Sequence, residues 1–326
     1  MSAGASPIGL DVGRRVLKAA QRMGDGRVLT ALVTRSELGL LEDLDRMGST
    51  LWRRGFRGRT VIASAPERSA LMASIELPRP ETGAPVRTIA SAELARLHGR
   101  EPGGLESTVI YRDLAPNARS GRGAQAFAFA VDSAEVIADV AALEGQGGRA
   151  LRVARVECGP LALARALGAS MGPGASCAIE HGWTRLTVTV CEGGVPIFVR
   201  TLDDLGLSQL DQQRQSSPGS LSTFYQRMSE ELERSLAYGV RECGSHEPVP
   251  TLIACPARAY GPMMEVGGTL VSRGVPVLLR ASLAFGAHEC SGRFARAIGL
   301  AISQVTAGVG RFSTAQEPEQ MDKVAA

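Results

Sequence analysis

The sequence predicts an α/β chain of two lobes built on one duplicated βββαβα core, with a small α+β unit inserted into the first lobe. Three observations carry this. The chain opens with an apolar strand that ends in an Asp, turns over a glycine and resumes as a strand carrying a lysine: Ile8-Gly9-Leu10-Asp11-Val12-Gly13-Arg14-Arg15-Val16-Leu17-Lys18. After the glycine-rich stretch Gly168-Ala169-Ser170-Met171-Gly172-Pro173-Gly174 the same device returns as strand, acid, glycine turn and strand from Cys177 to Val190, with Glu180-His181-Gly182 at its centre. Between the two, strands and helices alternate, and residues 67–150 have a texture of their own.

Taken in order, residues 8–34 read as two or three strands and 36–54 as a helix. Leu38, Leu41, Leu44 and Leu51 lie near helical spacing behind a Ser36 N-cap, with Trp52 half-buried. Thr60–Ala65 is a short buried strand. In the inserted stretch, Ser69–Leu77 is a strand stopped by Pro78, Ala84–His98 a helix, and Ser107–Leu114 and Gln125–Val131 are strands. Ser133–Leu143 is a helix with a serine N-cap, and glycine-rich loops at 119–123 and 145–148 bound the unit. A strand (Leu151–Val156), a helix (Leu161–Leu167) and a hinge-like break at 168–174 lead to the second device, which the hairpin signal Glu192-Gly193-Gly194 closes. The predicted division is a disordered tail at 1–6, a first lobe at 7–66 plus 151–175, an insertion at 67–150, a second lobe at 176–311 and a tail at 312–326. The last helix of the second lobe, about 292–308, packs back on the first.

At 326 residues the chain is long enough for two cores. Charged residues make up 21% and the net charge is only +3, which leaves no electrostatic footprint for nucleic acid, and 4% aromatic content gives little to stack on bases. The basic run Arg53-Arg54-Gly55-Phe56-Arg57-Gly58-Arg59 reads as a solvated helix end and loop. The six cysteines form no C-x-x-C pair, so they read as reduced apolar fillers. His98, His181, His246 and His288 have no metal-ligand spacing, and only His181 falls at a suspected site. Without a leader or a bilayer-length apolar run, the expected location is the cytoplasm, with no direct membrane insertion.

The chemistry sits at the turns. Backbone N–H groups in such a turn form an anion nest, Gly13 allows close approach, and Asp11 is suited to hold a metal-bound water. Lysine occurs only at 18 and 323 in a chain that otherwise uses arginine, which singles out Lys18 as a compact charge able to reach a phosphate. Each turn alone is equally ordinary hairpin chemistry. The repetition is what points to two turns facing one another across a shared cleft.

These residues resemble the actin-like ATPase superfamily and, within it, the type IV pilus assembly protein PilM family, with the division protein FtsA more distant. The resemblance covers about residues 7–308. It runs through Asp11, Gly13 and Lys18; Ile75-Glu76-Leu77-Pro78; Val109-Ile110-Tyr111-Arg112-Asp113-Leu114; Glu157 leading into Leu161-Ala162-Leu163; the second turn; Gly194–Arg200; the helix Phe224–Tyr238; and Ala297-Ile298-Gly299-Leu300-Ala301. It implies ATP and Mg2+ as cofactors and Asp11, Gly13, Lys18, Glu180, Gly182 and Thr184 as nucleotide-binding residues. Asp11 and Glu180 would hold the metal through water, and no catalytic residue is assigned. It also implies an inner-membrane PilN-like partner gripped by its N-terminal cytoplasmic tail, and it leaves self-association open.

Four departures weaken the implied nucleotide site. Arg14 and Arg15 replace the hydroxyl residues expected after Gly13, and Glu180 replaces an Asp. Thr201-Leu202-Asp203-Asp204-Leu205 replaces a glycine-rich contact, and Cys255-Pro256-Ala257-Arg258 stands where a Gly-Gly pair would let a purine lie on bare backbone. Two functions follow: a pseudo-ATPase scaffold of a type IV pilus or type II secretion platform, or an active ATPase or phosphotransferase of the sugar-kinase kind. A third reading keeps both turns as plain hairpins of an unrelated α/β protein.

Overall fold

The computed structural model describes residues 4–36, 39–65, 70–111, 123–144, 151–216, 218–245 and 247–303. Leu38, Ser69, the Arg112–Leu114 motif, loop residues 119–122 and 145–148, His246 and everything after 303 lie outside the described residues.

The first half runs β1 (Ile8–Val12), β2 (Val16–Arg22), β3 (Val28–Thr34), α1 (Leu40–Arg53), β4 (Thr60–Ser64), β5 (Leu71–Pro78), α2 (Val86–Leu97), β6 (Leu105–Tyr111), β7 (Gly123–Asp132), α3 (Ser133–Glu144), β8 (Arg152–Glu157) and α4 (Gly159–Met171). The second half runs β9 (Ala175–His181), β10 (Leu186–Glu192), β11 (Val195–Leu202), α5 (Leu207–Ser216), α6 (Pro218–Glu242), β12 (Val249–Ala254), α7 (Ala257–Ser272), β13 (Val277–Arg280), β14 (Ser282–Phe285), β15 (His288–Ser291) and α8 (Ala295–Ala301).

The duplication is complete at the level of topology. One sheet has the order β3-β2-β1-β4-β8 and the other β11-β10-β9-β12-β13. In both, the first two pairings are antiparallel and the last two parallel. The hairpin between β10 and β11 turns on Gly193 and Gly194, both at positive φ, as a two-residue turn of that hand requires. Helix α6 buries Phe224, Met228, Leu232, Leu236 and Val240 against the second sheet, one residue per turn.

The inserted unit is a third sheet, β5-β7-β6, antiparallel throughout. Strand β7 alternates small and large residues. Ala126, Ala128 and Ala130 face the cluster containing Ala90 and Leu94 of α2, and Phe127, Phe129 and Val131 join Val136, Leu161 and Val199. Strand β5 lies toward β11 of the second lobe, where the Ser74 hydroxyl donates to the Ile197 carbonyl.

The lobes exchange helices. Helix α4 follows the first sheet and packs on β9, β10 and β11, while α8 follows the second sheet and packs on β1, β2 and β4; the two also pack on each other. Glycine sets how closely they approach: a Cβ on Gly299 would stand 1.6 Å from the Ala162 carbonyl oxygen, and one on Gly9 2.0 Å from that of Ala297.

Several local expectations are corrected. Ser36 is not an N-cap: α1 starts at Leu40, and the buried Asp43 carboxylate of its first turn accepts from the Ser36 N–H and hydroxyl. The apolar face of α1 is Leu44, Met47 and Leu51; Leu41 is 56% and Trp52 77% exposed. Asp132 rather than Ser133 caps α3, its carboxylate accepting from the Ala134 and Glu135 N–H groups. Gly168 to Met171 are helical, and Gly168 serves close packing, since a Cβ there would meet the Gly194 backbone at 2.9 Å. Ser6, expected in a frayed tail, is tied to β2 through the Arg22 carbonyl and the buried Gln21 amide. Among the described residues no helix is long and apolar enough to cross a membrane.

Candidate functional site at the lobe interface

The two turns have the same closure. The Gly13 N–H donates to the Val16 carbonyl at 3.0 Å and the Gly182 N–H to the Arg185 carbonyl at 2.9 Å. A side chain at either glycine would crowd that same carbonyl oxygen, at 2.7 and 3.1 Å. The turns also meet: the Arg15 guanidinium of the first lies 4.3 Å from the Trp183 ring centroid of the second. Arg258 of α7 lies 5.8 Å from the same centroid, so Trp183 is held between cations from both lobes.

A second set of charged residues forms a chain. Asp11 and Lys18 are cross-strand partners on β1 and β2, and Lys18 Nζ is 3.2 Å from Asp11 Oδ2. Arg296 of α8 places Nη1 3.6 Å from Asp11 Oδ1 and Nη2 2.7 Å from Glu180 Oε2. One buried guanidinium thus touches the acid of each turn. Burial alone would raise the Asp11 pKa, but Lys18 and Arg296, with the Ser64 hydroxyl, outweigh it and hold the carboxyl below its usual value. His181, next to Glu180, is 3% exposed against the backbone of Leu205 and Gly206. Desolvation pushes its pKa down to about 4, so it is neutral at pH 7.

The second turn is also stitched to its own lobe. The N–H groups of Leu207 and Ser208 donate to the Gly182 and Trp183 carbonyls at 2.9 and 2.8 Å, and the Gly206 backbone lies directly on the Thr184 peptide. At the loop expected to receive a purine, Pro256 is the N-cap of α7, and Arg258 turns back over Trp183 and pairs with Asp211 at 3.0 Å. Glu157, at the end of β8, pairs with Arg155 and Arg165, and Arg165 also donates to the Gly299 carbonyl, joining β8, α4 and α8.

Of the six residues expected at a nucleotide site, the structure joins Asp11, Lys18 and Glu180 in one ion-pair chain through Arg296; Gly13 and Gly182 close the two turns, and Thr184 packs on Gly206 of its own lobe. The arrangement does not fit a hydrated divalent ion between Asp11 and Glu180. Arg296 takes that position, and a dication added there would sit beside two fixed cations. Among the described residues no group of three or more His, Cys, Asp or Glu is placed to hold a metal. Arg296 is the residue that sequence reasoning missed. Its signal was a lone arginine in the otherwise small and apolar helix Ala295-Arg296-Ala297-Ile298-Gly299-Leu300-Ala301.

No protein-family model matches the chain, and no curated protein matches it. Solved structures do. A chain of a PilM-PilN type IV pilus biogenesis complex matches with a TM-score of 0.66 at 19% identity, over 91% of this chain and 97% of that one. The ethanolamine utilization protein EutJ from Carboxydothermus hydrogenoformans matches with a TM-score of 0.50 at 11% identity, over 92% and 90%. Two sheets of identical strand order, an insertion in the first lobe and helices exchanged across the interface, together with these similarities, give the chain the actin-like fold.

Proposed function

We propose that the protein is a PilM-like, non-catalytic scaffold of a type IV pilus or type II secretion assembly platform. It works at the cytoplasmic face of the inner membrane, where it grips the short N-terminal cytoplasmic tail of a PilN-like membrane partner. The observation that carries this reading is the match, over nearly the full length of both chains, to a chain of a PilM-PilN complex. In this reading residues 7–66 plus 151–175 and residues 176–311 are the two lobes and 67–150 the docking subdomain. A tail bound in extended form would lie beside the third sheet, where β5 already faces β11 and β6 is the other edge strand.

In this reading Asp11 and Glu180 serve as closing contacts between the lobes through Arg296, while Lys18 pairs with Asp11 and Gly13, Gly182 and Thr184 shape the two turns, so ATP and Mg2+ are not required. An ATPase or phosphotransferase would need metal-bound phosphate in line with a nucleophile and a base. The guanidinium between Asp11 and Glu180 argues against that alternative.

The test is fluorescence anisotropy with a labelled synthetic peptide copying the N-terminal cytoplasmic tail of a PilN-like membrane protein from the same organism, against a scrambled control. Saturable binding of the tail peptide alone is the expected result. Equal behaviour of both peptides, with no co-purification of the full-length membrane protein, would end the scaffold reading.

A further inference from the structure

We propose that Arg296 is the resident cation of this cleft: its guanidinium stands where a nucleotide-bound metal would have to sit and clasps the two lobes without any ligand. The inference rests on the actin-like fold and the geometry of the turns, and it holds whether or not the partner tail is the right one.

Three features converge on it. The first is position. Asp11 ends the first strand of one lobe and Glu180 stands near the end of the equivalent strand of the other, and Arg296 reaches both from the helix that crosses between lobes. A planar fork presents separate nitrogens to the two carboxylates in a fixed geometry, where a lysine would offer a single point charge. The second is room. A Cβ on Gly159, at the start of α4, would lie 2.9 to 3.0 Å from the Nε, Cδ and Cζ atoms of Arg296, so the absence of a side chain there lets the guanidinium in. The third is balance. The side chains of Arg296, Asp11 and Glu180 are 10%, 4% and 13% exposed, and the half-buried Lys18 completes a set of two cations and two anions. A second inter-lobe contact, Arg15 on the Trp183 ring, joins the two turns themselves.

The test reads thermal unfolding and the radius of gyration from small-angle scattering on the full chain. For the wild type, millimolar Mg-ATP and Mg-ADP are expected to move neither. Arg296→Met is expected to lower the unfolding midpoint by roughly 5 °C and to enlarge the radius, because two buried carboxylates lose their shared partner. Adding Asp11→Asn and Glu180→Gln to Arg296→Met is expected to recover most of that loss, which a merely space-filling arginine would not allow. If Arg296→Met does not fold, Glu180→Gln alone carries the measurement and is expected to lower the midpoint by about half as much. A clear rise of the wild-type midpoint with Mg-ATP overturns the proposal. So does an Arg296→Met protein, or its Glu180→Gln substitute, that matches the wild type in both readouts, and so does a triple variant no better than the single one. Failure of the tail peptide to bind alters none of these readings.

Discussion

The two turns share a backbone and differ in nearly every side chain that matters. In the first, Asp11 is buried and paired while Arg14 and Arg15 stand exposed on the loop. In the second, Glu180 faces the same guanidinium, His181 is buried and neutral, and Trp183 lies in the loop under two arginines. The two turns meet each other through a cation on a ring at one contact and through carboxylates on one shared guanidinium at another. The lesson is that a duplicated backbone can be kept for the interface it makes between its halves.

The sharpest way to break the comparison is at the helix exchange. Gly299→Ala drives a methyl group into the Ala162 carbonyl oxygen, for which neither backbone can move far. The expected cost exceeds about 5 kcal/mol, seen as loss of cooperative unfolding. Gly168→Ala, against the Gly194 backbone, is expected to cost about 1–3 kcal/mol. Equal behaviour of the two would mean the lobes are not joined mainly through α8.

Next come the acids. Asp11→Ala leaves Lys18 and Arg296 facing a lost partner and is expected to cost roughly 3–5 kcal/mol by urea titration. Glu180→Ala leaves Arg296 with Asp11 and is expected to cost about half as much. The reverse order would place the weight of the clasp on the second turn.

Acidification should separate the turns by pH. The His181 pKa is about 4 when folded, against 6.5 for a free imidazole, so the unfolded chain takes up the proton first. Stability is intact above 6.5 and falls, by up to about 3 kcal/mol, as pH drops from 6.5 to 4. The lowered Asp11 pKa acts in a lower window: its contribution is present above 3.8 and is lost as pH falls through the folded value. Urea midpoints at pH 7, 5 and 3.5 check this. His181→Phe should flatten the upper window and leave the lower one, and an unchanged upper window in that variant would rule His181 out. The smallest effect is between the loops: a double-mutant cycle on Arg15→Ala and Trp183→Ala should give a coupling of about 0.5–1 kcal/mol.

Much of the architecture was legible because it is written in local chemistry. Two copies of strand, acid and glycine turn announce the duplication. Gln125–Val131 reads as a strand, and Glu192-Gly193-Gly194 announces a hairpin. Caps were harder: Ser36 stands ahead of α1 and donates to Asp43 within its first turn, and at α3 it is Asp132, not Ser133, that accepts from the first N–H groups. Trp52 has the composition of a core residue and points to water, because the buried stripe of α1 lies along Leu44, Met47 and Leu51.

By itself the sequence determined that the chain folds twice in the same way and that Asp11 and Glu180 stand at matching places, because strand period and turn chemistry are properties of neighbouring residues. Only the tertiary structure decided what those acids hold. Arg296 lies 285 positions from one and 116 from the other, and its meeting with both depends on a helix crossing whose closeness is set by the missing side chains of Gly299, Gly9 and Gly159. Charge pairing across such separations is a matter of packed geometry, and no local pattern encodes it.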